Sequence, residues 1–160
     1  MAPALHEDVA SLAFLLGTWR GEGSGGFPTI ESFSYREEIV FEHVGEPYLL
    51  YRQGSWDADT AAPLHFERGF LRPGGDPGSL ELCLAHPLGL TEIAHGSLSG
   101  TSIELTTDAD GIGRSATGMD VLGLIRRYRC WGDTLSYELG MATADAPMTR
   151  HLDATLGRAT

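Results

Sequence analysis

Histidine is the residue type best suited to proton or metal chemistry at neutral pH, and this chain has six: His6, His43, His65, His86, His95 and His151. No pair has the H-x-x-x-H or H-E-x-x-H spacing of a zinc site. His86 and His95 lie in or beside turns, and they read, with His6 and His43, as surface or core residues. His151 stands apart because of its setting. From Pro147 to Leu156, Met148, Leu152, Ala154 and Leu156 alternate with Thr149, His151, Asp153 and Thr155. In the mouth of a barrel, a neutral imidazole there could hold an iron from one side. The leucine parity would turn His151 away from such a ligand. Two resolutions stay open: both faces of the strand are covered, or a bulge after Pro147 changes the parity.

Other constellations are weaker. No serine sits in a G-x-S-x-G elbow, and Gly96 to Gly100 reads as a hairpin. Glu37, Glu38 and Glu81 fall on strands and read as solvated faces. Gly21 to Gly26 is glycine-rich but follows no βα pattern, so it is not a dinucleotide fingerprint. Cys83 and Cys130 lack C-x-x-C spacing and are expected as two buried free thiols in a reducing cytoplasm.

The elements that must position these residues are nearly all β. Leu5, Val9, Leu12 and Leu16 form a helical stripe that Gly17 ends. Next comes Gly17-Thr18-Trp19-Arg20-Gly21-Glu22-Gly23, in which the indole would plug the closed end of a barrel while the glycines allow close backbone approach. From there the chain reads as about ten short strands with a turn about every 8–14 residues. Asp108 to Gly113 is expected as a polar loop, and Met119 to Trp131 as a strand. The expected fold class is all-β: a ten-stranded antiparallel barrel of lipocalin or fatty-acid-binding-protein shape, with a short N-terminal helix and one domain over 1–160. Closure removes the edges of such a sheet, and ten strands can leave a ligand cavity.

The chain has 160 residues, 11 basic and 22 acidic, for a formal charge of −11, and it contains no lysine. That balance argues against nucleic acid and against an anionic membrane surface. The N-terminus has no basic n-region, no apolar run has the length of a membrane span, and the cytoplasm is the expected location.

Several segments together resemble the nitrobindin family of haem-binding barrels. They include Phe14 to Gly23, Phe27-Pro28-Thr29-Ile30, Tyr35 to Glu38, Pro63 to Glu67, Gly69 to Arg72, Ala85-His86-Pro87, Gly132 to Tyr137, and Pro147 through His151-Leu152 to Arg158. The resemblance implies a noncovalent ferric haem b and conversion of peroxynitrite to nitrate, with nitric oxide as a further ligand. The family's proximal histidine falls on His151, the expected metal ligand and catalytic residue. Thr29, Leu64, His65, Met119 and Met141 match cofactor-pocket positions. The family often has a lysine facing the haem propionates where this chain has Met119. Asp120 beside it would repel a carboxylate, which leaves Arg114, Arg126 or Arg127 to compensate. The expected partners are small molecules, with a homodimer as the assembly to test. The alternative is a haem-free barrel carrying a fatty acid or other apolar ligand.

Overall fold

Spacing decides the first element. In the computed structural model, which describes residues 1–160, Glu7–Leu15 winds as a 3₁₀ helix. Its buried residues Val9, Leu12 and Leu15 recur every third position, the period of a 3₁₀ turn. The expected stripe is thereby corrected: Leu16 lies just past the helix and Leu15 takes the inward position. His6 caps the helix, with Nδ1 accepting from the Asp8 amide at 3.2 Å.

Eleven strands follow: β1 Gly17–Phe27, β2 Ile30–His43, β3 Leu49–Asp57, β4 Pro63–Pro73, β5 Ser79–His86, β6 Leu90–Ser99, β7 Ser102–Thr107, β8 Ile112–Arg114, β9 Val121–Trp131, β10 Thr134–Thr143 and β11 Ala146–Arg158. All pairings are antiparallel. The order is β5-β4-β3-β2-β1-β11-β10-β9-β7-β6-β8, and β5 also pairs with β6. Ten strands therefore close into the expected barrel, and β8 is an addition. After a 3₁₀ turn at Ala109–Gly111, β8 continues along β6, pairing Leu90 with Arg114 and Glu92 with Ile112. The sequence reads this stretch as a loop; its backbone pairs because β7 ends before β6 does, leaving donors and acceptors to satisfy. Met119, expected at the start of a strand, lies in the loop before β9. No helix is long and apolar enough to cross a membrane.

Trp19 closes one end, as its glycine-flanked setting predicts. It is fully buried and its Nε1–H donates to the Leu15 carbonyl at 2.8 Å. The Arg158 guanidinium stacks 4.1 Å above the indole ring and donates to the carbonyls of Phe14 and Leu16. One side chain thus satisfies carbonyls at the helix end and joins the end of β11 to it. Among Leu15, Phe41, Leu71 and Ile103 there is no room for a water molecule. Gly23 is needed for close packing on β1: a Cβ there would lie 2.5 Å from Cζ of Tyr35. Gly25 likewise leaves the space that the Phe33 ring fills.

Cys83 and Cys130 are both free. Cys130 is buried, whereas Cys83 is only half-buried, because it shares an outward parity on β5 with Glu81.

Candidate functional site at the open end

Antiparallel strands deliver alternate strand ends to the same place. The end opposite Trp19 gathers the β1–β2 turn, the starts of β4, β9 and β11, and the end of β10. All six residues expected at a pocket arrive there. Thr29 is exposed in the β1–β2 turn. Leu64 is 45 % exposed at a register shift where Ser55 pairs with His65 and Trp56 with Pro63. Met119 is exposed in the loop before β9. Met141 is half-buried against the core, and His65 and His151 are also half-buried.

The parity conflict at His151 resolves through a bulge. Leu139 pairs with Leu152 and Gly140 with Arg150, so His151 is the extra residue on β11. A bulge re-aims a side chain. The His151 ring meets Phe27 edge-on at 5.5 Å and Phe33 at 6.5 Å. Its Nδ1–H donates to the Gly26 carbonyl at 2.8 Å. A carbonyl only accepts, so a neutral His151 carries its lone pair on Nε2, the tautomer that a metal takes.

The ring thus lies beside two phenyl groups at an end rich in apolar side chains. Phe33, Met141 and Leu152 pack against the core from this end, while Leu64, Met119 and Leu122 are exposed at the rim. One free imidazole nitrogen at such an end suits a planar apolar cofactor with an axial nitrogen ligand. The rim charges differ from expectation. Arg114 is ion-paired with Asp120, which neutralises the carboxylate expected to repel a propionate. Arg126 is buried inside the barrel, and Arg127 pairs with Glu104 at 2.7 Å. Arg114 is the one of the three left at the rim.

A buried polar network lies deeper in the barrel. Sequence reasoning missed it. Arg126, 1 % exposed, donates from Nε to Glu92 at 2.8 Å, and from Nη1 to Glu67 at 2.7 Å and to the Tyr137 hydroxyl at 3.1 Å. The Tyr51 hydroxyl donates to Glu67 at 2.9 Å and lies 3.1 Å from that of Tyr128. His65 Nε2 is 3.3 Å from Glu67 Oε2, and His86 Nδ1 is 3.2 Å from His65 Nε2. His86, read as a surface or core residue beside a turn, lies in the core; its side chain is 5 % exposed. Glu37, read as solvated, is buried and neither carboxyl oxygen has a hydrogen-bond partner. The available signal was parity. Glu37 alternates in phase with Tyr35 and Ile39, Glu92 with Leu90 and Ala94, and Arg126 with Leu124 and Tyr128.

Burial, and next the charge of Glu67, push Glu37 up to about 8. Burial also raises Glu92, because it outweighs the attraction of Arg126. At Glu67 burial acts upward too, but Arg126 and the two imidazoles outweigh it and hold this carboxyl well below the usual range. Burial lowers His86 to about 4 against the pull of Glu67. At neutral pH the network thus holds Glu67 ionised, Glu37 mostly protonated and His86 neutral.

An antiparallel barrel plugged at one end, with a half-buried histidine beside aromatic rings at the other, has the layout of a small ligand-binding barrel. The chain belongs to the THAP4-like, heme-binding beta-barrel domain family, which it matches over residues 8–158. A peroxynitrite isomerase of Nocardia farcinica is 54% identical over 157 residues, covering 97% of this chain and 93% of the relative. Peroxynitrite isomerase 2 of Mycobacterium marinum is 49% identical over 160 residues, covering 99% of each. The crystal structure of Rv2717c from M. tuberculosis is similar with a TM-score of 0.89 and 43% identity, over 98% of this chain and 100% of that one.

Proposed function

We propose that this chain is a haem-dependent peroxynitrite isomerase in which Nε2 of His151 is the single protein ligand to iron. The observation that carries the assignment is the Nδ1–H bond from His151 to the Gly26 carbonyl. It fixes the ring and leaves Nε2 free on the bulged residue of β11. Two relatives that share about half of this sequence are peroxynitrite isomerases, which supports the reaction class. When bound, ferric haem b supplies an electrophilic iron at which peroxynitrite converts to nitrate.

The chain's own part is modest, because the reaction rearranges one anion with no net gain of protons or electrons. Phe27 and Phe33 pack against the His151 ring, and Met141 and Leu152 add apolar surface at the same end. Leu64 and Met119 cover the rim, and Thr29 sits at the entrance. His65 borders this end with its Nε2 engaged with Glu67 and His86, so that nitrogen is not a free acid for peroxide cleavage. Arg114, shared with Asp120, is the one of the three expected arginines that a propionate could engage. The same reading takes nitric oxide as a second small ligand, the cytoplasm as the location and a homodimer as the assembly.

Stopped-flow decay of peroxynitrite, with nitrate quantified, tests the proposal. The haem-saturated protein accelerates decay catalytically and yields nitrate. Decay at the buffer rate with haem fully bound would refute the isomerase reading and leave a haem or nitric-oxide carrier.

A further inference from the structure

We propose that His65, Glu67 and His86 form a second site, for one divalent transition-metal ion of the zinc class, separate from the iron ligand His151. The three ligand atoms, His65 Nε2, Glu67 Oε2 and His86 Nδ1, lie mutually within 4.8 Å. The His65–His86 edge is 3.2 Å, and the His65–Glu67 and His86–Glu67 edges are both 3.3 Å. Two imidazoles and a carboxylate oxygen about 2.05 Å from a tetrahedral ion stand about 3.3 Å apart. An octahedral ion at the same distance would draw them to about 2.9 Å. The triangle therefore has the edge of a tetrahedral face, with a fourth position left for solvent.

Proton counting points the same way. Hydrogen bonding cannot satisfy all three edges with two neutral rings and an ionised Glu67. If both facing nitrogens carry protons, two donors confront each other across the His65–His86 edge. If one does, the other nitrogen turns its lone pair to the carboxylate. If neither does, three lone pairs converge; that of Glu67 Oε2 also accepts from Arg126 Nη2 at 3.1 Å, and a cation at the centre satisfies the two imidazoles.

An independent observation concerns the far side of His86. Its Nε2 is buried with no hydrogen-bond partner, and the carboxylate of Glu92 lies 3.9 Å away. Metal on Nδ1 places the ring proton on Nε2, aimed at Glu92. This is the carboxylate–histidine–metal arrangement that orients a ligating imidazole, reached by a contraction of about an ångström. The local charge also suits a cation. Glu67 and Glu92 share the single guanidinium of Arg126, so one negative charge is left over when both are ionised. His65, with 27 % of its side chain exposed, gives the ion a way in from the pocket.

Calorimetric titration of the full chain with zinc chloride, both haem-saturated and haem-free, tests the site. The wild type takes up one equivalent in either state. His86→Gln and His65→Gln each abolish saturable binding, and Glu92→Gln weakens it about 10–100-fold. His95→Gln and His151→Ala leave it unchanged, which keeps this outcome distinct from failure of the haem assignment. Cobalt(II) in the haem-free protein gives the intense visible bands of tetrahedral coordination. Circular dichroism establishes that each variant is folded, and the half-exposed position of His65 keeps that variant informative if His86→Gln unfolds. No saturable zinc binding in the wild type would overturn the inference. So would binding that survives His65→Gln in a folded protein, or binding lost with His151→Ala.

Discussion

Replacing Glu37 by Gln isolates the cost of a buried carboxyl without a hydrogen-bond partner. Burial and the Glu67 charge move this group from its ordinary value of 4.5 up to about 8. The unfolded chain releases the proton near 4.5, whereas the folded chain keeps it to about 8. Between those values the native state binds one more proton than the unfolded state. Stability therefore falls as pH rises, by about 1.36 kcal/mol per unit. Below pH 4.5 both states are protonated and nothing is lost. By pH 7 the interval is about 2.5 units, a cost of about 3 kcal/mol, and above pH 8 the loss levels off. Gln has nearly the same shape and no proton to release. Glu37→Gln is thus expected to match the wild type near pH 4.5 and to exceed it by about 3 kcal/mol at pH 7. Urea unfolding followed by tryptophan fluorescence across this range measures the difference. The opposing titrations of Glu67 and His86 are common to both proteins and largely cancel in the comparison. A difference that does not change with pH, or a variant less stable at pH 7, would refute the assignment of Glu37 as a buried neutral acid.

Other outcomes follow from the same network and from the closed end. Arg126→Met leaves Glu67 and Glu92 buried without their cation and is expected to cost about 3–5 kcal/mol in urea unfolding; a cost below about 1 kcal/mol would contradict the ion-pair geometry. Gly23→Ala drives a methyl into both the Asp153 backbone carbonyl and the Tyr35 ring and is expected to destabilise by about 1–3 kcal/mol; a neutral effect would mean that β1 and β11 shift apart freely. Trp19→Ala opens a cavity over the plugged end and is expected to cost about 3–5 kcal/mol, read as a lowered urea midpoint with haem binding at the far end retained.

Much of the architecture was legible because its signals are local. Period-two alternation and turn residues mark the strands, and the glycine-flanked Trp19 marks the plug. The residues expected at the open end came from the family resemblance, and alternate strand ends of an antiparallel barrel bring them to one place. What stayed hidden depends on contacts between distant strands. The bulge that aims His151 is a register offset between β10 and β11, and neither strand carries it alone. Glu37 was misplaced because a charged side chain in a strand is most often solvated. A ten-stranded barrel, however, encloses more space than its apolar side chains fill, and here a layer of tyrosines, carboxylates and one arginine occupies the middle. The helix type turned on one residue, because Leu15 and Leu16 are both leucine and only the burial of Val9, Leu12 and Leu15 selects the tighter winding.

The most direct test of the central claim is a titration with ferric haem followed in the visible spectrum, for wild type and for His151→Ala with and without added imidazole. The wild type is expected to give a saturable, sharpened Soret band. The variant is expected to lose it, and free imidazole, standing in for the missing ring, is expected to restore it. An unchanged spectrum and full haem affinity in His151→Ala would contradict the account.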